Sequence, residues 1–206
     1  MVKQNQPNQR RVVVTGLGVV SSVGIGWQEF WKNLLAGKSG ISEVTAFDTS
    51  KHDIHLAGEV KGFNPDDFIS HNKMKGLPRG SRFAIAASRL ALKDACLKEH
   101  DLRKKCAGVV LGTTMGEIQV VEQMVKHLYV TQKGFKAIRA LMYPCNLIPS
   151  NVAHYFRVTG QNRILGNACA AGNFAIGYSF DLIRQGNADY MLAGGVDVLS
   201  RIAFSG

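Results

Sequence analysis

Hydrophobic and polar positions alternate along this chain in a way that predicts short buried strands separated by amphipathic helices. Short apolar runs flanked by glycine or polar residues predict strands at residues 12–14, 109–111, 163–165 and 190–193. Apolar positions three or four residues apart predict helices at residues 27–35, 82–97, 117–129, 150–156 and 170–184. Because strands and helices alternate, the right-handed crossover rule favours an α/β fold with a mostly parallel central sheet and helices on both faces.

Two stretches fall outside this pattern. Residues 1–10 form a polar tail that lacks the apolar core of a signal peptide, and no apolar run in the chain is long enough to span a membrane. Between residues 40 and 80, Asp48, Pro65 and Pro78 interrupt the short apolar runs, which predicts loops and short helices lying over the core. Cys96, at the end of the helix predicted at residues 82–97, is interpreted as a packing residue.

Composition and charge narrow the possible functions. The chain has 206 residues, 46% of them hydrophobic, which suits one or two domains with a substantial core. Its net charge of +10, from 25 basic and 15 acidic residues, favours an acidic partner, either nucleic acid or an acidic protein. The four cysteines form no CxxC pair and none lies at ligand spacing from a histidine, so neither a metal site nor a disulfide framework is indicated. Four free thiols suit the reducing cytoplasm.

Basic residues cluster just before and within the start of the helix predicted at residues 82–97. They are Lys61, Lys73, Lys75, Arg79 and Arg82. The ordinary interpretation is a solvated, positively charged face, and the alternative is a docking patch that steers an acidic protein. A nucleic-acid-binding module fits less well, because no aromatic residues interleave the cluster as a stacking platform requires.

A strand, a glycine turn and a helix near the start of the chain suggest a dinucleotide-binding motif. That motif needs a third glycine where Ser21 stands, and a second strand ending in an acidic residue. The loop at Lys38, Ser39 and Gly40 follows instead, so we reject a bound dinucleotide.

Cys169 lies where the strand predicted at residues 163–165 turns into the helix predicted at residues 170–184. The unpaired N–H groups and the dipole of a helix start favour negative charge, which stabilises the nucleophilic thiolate. Small neighbours permit a sharp turn and the close approach of a substrate; they are Ala168, Ala170, Ala171 and Gly172. A buried cysteine that fills the core is the alternative, and the nearby His154 leaves a Cys-His pair open.

Five segments, in the same order along the chain, resemble the β-ketoacyl synthases, which are condensing enzymes of fatty-acid and polyketide synthesis with a thiolase-like layered fold. The segments are RVVVTGLGVVSSVG at 11–24, VVLGTTMGE at 109–117, LIPSNVA at 147–153, and NACAAG at 167–172 with NADYMLAGGVD at 187–197. The resemblance implies that Cys169 is the catalytic nucleophile and that the helix bearing His154 contributes packing. It also implies substrates carried on the phosphopantetheine of an acyl carrier protein, with no bound cofactor and no metal.

The resemblance extends to other residues. It implies that Met115 lies near the floor of an acyl pocket, although a methionine that fills the end of the sheet is the alternative. It implies that Lys73, Lys75, Arg79 and Arg82 dock the acyl carrier protein, and that the protein forms a homodimer. Asn167 departs from the small hydroxyl-bearing residue usual in the family, which bears on substrate preference.

The resemblance is to the N-terminal half of these enzymes only. The second half supplies two histidines and a lysine for decarboxylation and condensation, so residues 11–206 are interpreted as an N-terminal domain truncated before that half. We expect residues 1–206 alone to carry a reactive Cys169 without condensing. Two alternatives remain: a non-catalytic partner subunit of a condensing heterodimer, which usually lacks the cysteine, and a thiolase-fold enzyme acting on coenzyme A esters.

Overall fold

The computed structural model describes residues 10–132 and 137–205, so nearly all of the predicted tail at residues 1–10 lies outside the described residues. The helices are α1 (Trp27–Leu35), α2 (His71–Met74), α3 (Arg79–Asp94), α4 (Glu99–Arg103), α5 (Ile118–Thr131), α6 (Leu147–Phe156), α7 (Ala171–Arg184) and α8 (Arg201–Phe204). The strands are β1 (Ser42–Glu43), β2 (Leu56–Ala57), β3 (Ala107–Gly112), β4 (Asn162–Leu165) and β5 (Tyr190–Gly195). Every helix in the described part of the chain is too short or too polar to cross a membrane.

A parallel sheet forms the centre of the fold, with strand order β4, β3, β5. Val109 in the central strand pairs with Asn162 on one side and with Leu192 on the other. The predicted parallel sheet is therefore confirmed. A separate antiparallel pair of two-residue strands, β1 and β2, lies in the stretch predicted to be irregular.

Helices cover both faces of this sheet, as predicted. Successive side chains of a strand point to opposite faces, so Val109 and Val110 enter different clusters. Val109 packs in a core that contains Ile85 of α3 and Phe156 of α6. Val110 packs on the other face in a cluster that contains Ala175 of α7.

Helix α7 faces the sheet mostly with small residues, and Leu182 near its C-terminal end is the one large apolar residue among those it buries. Its buried residues are Ala171, Ala175, Ser179 and Leu182, whereas Phe174 and Ile176 are 55% and 51% exposed. The cause lies at Gly112, where a Cβ atom would overlap the backbone of Ala171. At the start of α7, this close approach of helix and sheet leaves room for small side chains only.

The strand predicted at residues 12–14 is wrong. Val13 and Val14 are 63% and 80% exposed, and no strand among the described residues pairs with this segment. An apolar, β-branched run forms a strand only where a neighbour completes its hydrogen-bond ladder. The segment that follows is anchored differently, because the backbone N–H of Leu17 donates to the Asp94 carboxylate at 2.8 Å.

Several predicted boundaries shift for identifiable reasons. Helix α3 begins three residues before its predicted start because a distant carboxylate, that of Glu117, accepts hydrogen bonds from its first turn. Helix α6 begins before Ser150, whose hydroxyl donates to the Asn146 carbonyl at 2.7 Å instead of capping the helix.

Cys96 is not a packing residue, since it is exposed and has a φ of 56° just beyond α3. Helices α4 and α8 were not predicted.

Candidate active site

Cys169 lies in the short turn that joins β4 to α7. A 3₁₀ turn over Ala168–Ala170 leads directly into α7, and the side chain of Cys169 is exposed. The predicted turn from strand to helix is confirmed, and the alternative of a core-filling cysteine does not hold. The turn stands at the carboxyl edge of a parallel sheet, where folds of this kind place their binding sites.

The residue before the cysteine has an unusual backbone conformation. Ala168 has a φ of 45°, in the left-handed region that residues with a Cβ seldom adopt. Such a conformation costs on the order of 1–3 kcal/mol and persists only when surrounding contacts hold it. Within the turn, the N–H of Ala170 donates to the carbonyl of Asn167 at 3.1 Å.

One of the contacts that hold Ala168 comes from the loop after β3. The hydroxyl of Thr114 donates to the carbonyl oxygen of Ala168 at 3.1 Å. The loop itself is bound by Asp197, which follows β5: its Oδ1 accepts from the Thr113 hydroxyl at 2.9 Å and from the backbone N–H groups of Thr114 and Met115 at 2.8 and 3.2 Å. One carboxylate and one hydroxyl thus connect the ends of all three parallel strands.

Sequence reasoning missed Thr114 and Asp197. A usable signal was present, because each follows a strand at the carboxyl edge that was already predicted to hold the cysteine. Polar residues in those positions are brought together by the parallel topology, whatever their separation along the chain.

Met115 lies next to this contact. Its side chain is half-buried, and it stands between Thr114 and Gly116, which has a φ of 61°. A Cβ atom at Gly116 would lie 2.9 Å from the Cβ of Cys145, so the segment before α6 packs closely against this loop. Met115 is therefore one residue from the contact with the nucleophile turn, while its role in an acyl pocket stays a prediction.

His154 does not join Cys169. It is exposed on α6, which packs on the face of the sheet opposite α7. Among the described residues, no hydrogen bond links the two side chains. A Cys-His pair within this chain is therefore not formed.

The predicted basic cluster lies mostly at the surface around the start of α3. Lys73 and Lys75 are exposed, and the Lys73 ammonium sits 4.5 Å from the centroid of the Tyr155 ring. Within the described residues, neither lysine forms an ion pair. Their positive charge is therefore presented to solvent.

The two arginines of the cluster differ from each other. Arg79 is exposed, with its guanidinium 4.7 Å from the Phe83 ring centroid, and partial burial lowers the pKa of Arg79 without removing its charge. Arg82 is half-buried, and its Nε is enclosed without a hydrogen-bond partner in the described part of the chain. Arg79 therefore resembles the lysines, whereas Arg82 belongs partly to the interior.

Glu117 is a buried carboxylate whose structural role at the start of α3 sequence reasoning missed. It is fully buried at the start of α5, and its carboxylate accepts from the N–H groups of Gly80 and Ser81 at 3.0 and 2.6 Å and from the Ser81 hydroxyl at 2.8 Å. The amide of Asn151 donates to the same hydroxyl at 2.9 Å. Burial raises the pKa of Glu117, and these hydrogen bonds oppose the rise.

Comparisons with known proteins agree with this architecture. The family described as "Beta-ketoacyl synthase, N-terminal domain" matches residues 9–204. The 3-oxoacyl-[acyl-carrier-protein] synthase 2 of Staphylococcus aureus (strain N315) is 34% identical over 202 residues, covering 96% of this chain and 48% of that protein. The chain therefore spans about half the length of the curated relatives it matches.

Solved structures show the same relationship. The ishigamide ketosynthase/chain length factor superimposes with a TM-score of 0.90 at 35% identity, covering 96% of this chain and 50% of that one. A type II polyketide synthase acyl-carrier protein in complex with its ketosynthase bound to the hexaketide gives a TM-score of 0.78 at 28% identity, with 96% and 48% covered. Both neighbours contain a ketosynthase, and the likeness confirms the thiolase-like layered α/β fold expected here. This chain belongs to the β-ketoacyl synthase family, whose N-terminal domain it matches over nearly its whole length.

Proposed function

We propose that this chain is the N-terminal part of a β-ketoacyl-acyl carrier protein synthase that uses Cys169 as its nucleophile. The observation that supports the proposal most strongly is the exposed Cys169 on a constrained turn at the carboxyl edge of the sheet. A non-catalytic partner subunit usually lacks this cysteine, so its presence favours an enzyme. The reaction is the decarboxylative condensation of an acyl thioester with a malonyl thioester in fatty-acid or polyketide synthesis.

The chemistry has two stages. The Cys169 thiolate attacks the acyl thioester carbonyl, and backbone N–H groups, including its own, hold the tetrahedral oxyanion. The intermediate collapses, and the carrier thiolate leaves and takes up a proton. The malonyl thioester then loses carbon dioxide to give a carbanion, which attacks the acyl carbonyl and releases Cys169, so that the chain grows by two carbons.

The acyl carrier protein is the proposed partner. One structural relative is a ketosynthase in complex with an acyl carrier protein. Here Lys73, Lys75 and Arg79 present positive charge around the start of α3, which would steer a partner rich in carboxylates. Arg82, whose side chain is half-buried, is proposed to add to this positive charge. Met115 is proposed to bound the acyl pocket, because it adjoins the loop that contacts the Cys169 turn.

A homodimer in the cytoplasm is the proposed assembly and location. Strand β4 lies at an edge of the described sheet, where a strand from a second copy can add. Free thiols at all four cysteines suit a reducing compartment. No bound cofactor is proposed, because the phosphopantetheine belongs to the carrier protein.

Two steps test this function. The chain is incubated with acyl carrier protein loaded with a saturated acyl group, and intact mass and peptide mapping locate the transferred acyl group. Cys169→Ala should abolish the transfer, whereas Cys106→Ala, at another exposed cysteine, should leave it unchanged. Acylation that persists in Cys169→Ala would overturn the assignment.

The second step adds malonyl carrier protein. Residues 1–206 alone should not release a condensed product, because the histidines that the family uses for decarboxylation are proposed to come from a second half. Condensed product from residues 1–206 alone would show that they need no such groups.

A further inference from the structure

The turn that bears Cys169 is tied to the rest of the active edge by a short series of hydrogen bonds. Asp197 Oδ1 binds the Thr113 hydroxyl and the N–H groups of Thr114 and Met115, and the Thr114 hydroxyl then binds the Ala168 carbonyl. The Thr113 hydroxyl also accepts from the N–H of Gly116 at 2.9 Å, which closes the loop after β3. Three elements that are far apart in the chain therefore meet at the residue before Cys169.

The series of hydrogen bonds ends at Ala168, whose backbone conformation persists only when surrounding contacts hold it. Ala168 holds a positive φ although it has a Cβ, and the peptide whose carbonyl oxygen Thr114 binds is the one that links Ala168 to Cys169. Without that bond, the free energy favours a return of Ala168 towards the ordinary helical or extended regions. Such a rotation would reorient the Cys169 N–H and turn the side chain away from the start of α7.

The negative charge on Asp197 strengthens the hydrogen bonds that its carboxylate accepts from Thr113, Thr114 and Met115. A carboxylate oxygen accepts several hydrogen bonds, and those to an ionised acceptor are roughly twice as strong as neutral ones. The Asp197 carboxylate fixes the loop position, and the loop position fixes where the Thr114 hydroxyl points. Asp197 is itself placed by β5, since the Val196 N–H donates to the Gly112 carbonyl at 2.9 Å.

We propose that Thr114 and Asp197 are positioning residues for Cys169, acting through the backbone of Ala168. The proposal rests on the function given above, and it names two residues that set the reactivity of the nucleophile without touching the substrate. Thr114 acts directly on the peptide that precedes Cys169, and Asp197 acts on Thr114.

The test measures the rate of alkylation of each cysteine by iodoacetamide in native 206-residue protein, resolved by peptide mapping, across pH. Cys106 is exposed and serves as an internal reference. In Thr114→Val, which keeps the shape but loses the donor, the ratio of the Cys169 rate to the Cys106 rate should fall about tenfold. Thr114→Ser keeps the hydroxyl and should restore the ratio to within about twofold of the original.

Asp197 is tested in the same way. Asp197→Ala should lower the ratio about as far as Thr114→Val, and Asp197→Asn, which keeps one acceptor oxygen without the charge, should give an intermediate ratio. Thr45→Val removes a hydroxyl that binds Glu59 at 3.1 Å elsewhere in the chain, and it should leave the ratio unchanged. Denaturant unfolding of each variant identifies the conditions in which it is folded, and rates are compared only there.

The outcomes separate the two proposals. If the original protein is acylated at Cys169 and Thr114→Val leaves the alkylation ratio unaltered while folded, positioning through Ala168 is wrong and the proposed function stands. A fall in unfolding free energy with an unaltered ratio also overturns positioning, because a purely structural residue behaves in that way. If Cys169 of the original protein reacts no faster than Cys106 and accepts no acyl group, the proposed function fails first.

Discussion

The carboxylate of Glu117 accepts a 2.6 Å hydrogen bond from the backbone N–H of Ser81, in the first turn of α3. The bond crosses from the start of α5 to the start of α3 and gives an acceptor to N–H groups that every helix leaves unpaired at its N-terminus. The site is fully buried, so the carboxylate carries a desolvation cost that its hydrogen bonds only partly offset. The start of α3 therefore depends on the protonation state of one side chain.

Replacing Glu117 should change how stability depends on pH. Because burial raises the pKa of Glu117, the folded chain binds this proton more tightly than the unfolded chain does. The stabilisation that results is fully present below the ordinary glutamate pKa of 4.5 and is lost as the pH rises through the folded value. Glu117→Gln cannot titrate, so the original protein should lose unfolding free energy relative to the variant as the pH rises from acidic to neutral.

Denaturant titrations of both proteins over a pH series measure this difference. Comparing the two proteins cancels the groups they share, including Asp189, where the backbone N–H of Cys106 is the main cause that lowers the pKa of the carboxyl. If the difference in unfolding free energy between the two proteins does not change with pH, the raised pKa of Glu117 is contradicted.

Gly112 should not tolerate a side chain. A Cβ atom there would overlap the backbone of Ala171, at the start of the helix that bears the nucleophile turn. Gly112→Ala should lower the free energy of unfolding by about 1–3 kcal/mol, the usual range for forced overpacking. Equilibrium unfolding in urea measures the change.

Gly177 provides the matched control. It lies in the same helix, α7, and a Cβ atom there would meet nothing within 4 Å. Gly177→Ala should raise the free energy of unfolding by roughly 0.5–1 kcal/mol, because alanine loses less backbone entropy in a helix. Equal effects of the two substitutions would show that close packing at Gly112 is not the reason for its glycine.

Charge reversal at Lys73 and Lys75 should weaken the binding of acyl carrier protein. Both side chains are exposed, so the double change to glutamate removes favourable charge, and the one described contact with a core residue that it loses is that of Lys73 with the Tyr155 ring. The association rate should fall about tenfold at low salt, and added salt should reduce the difference. Surface plasmon resonance at several salt concentrations measures it.

The control reverses two other exposed lysines, Lys104 and Lys105, which stand just after α4. That variant changes the net charge by the same amount and should retain more of the association rate. If the association rate falls equally in both variants, the overall charge of the protein attracts the carrier protein, and Lys73 and Lys75 have no special part in the attraction.

Much of the central fold could be predicted from the sequence because periodicity reports burial directly. Helix α1 has the predicted bounds, and β3 and β5 contain the predicted strands. What periodicity could not report is contact between distant segments. The early start of α3 depends on Glu117, and the close approach of the start of α7 to the sheet depends on Gly112, each lying far away in the chain.

The candidate site was predictable in position but not in its supporting contacts. The turn at Cys169 follows from a strand, small residues and a helix in succession, all of which are local signals. The left-handed conformation of Ala168 and its bond from Thr114 arise from tertiary packing, as does the exposure of the segment at residues 12–14. The hydrophobic pattern of residues 12–14 is the same whether or not a neighbouring strand pairs with them, so the sequence alone could not show that they are unpaired among the described residues.

The most direct test of the account compares the alkylation rates of Cys169 and Cys106 in the native chain at about pH 7. Both thiols are exposed, so the comparison reports nucleophilicity rather than access, and Cys106 donates to the Asn187 carbonyl at 3.3 Å outside any helix start. We predict that Cys169 reacts at least about tenfold faster than Cys106. A Cys169 that reacts no faster than Cys106 would contradict its role as the acyl-accepting nucleophile.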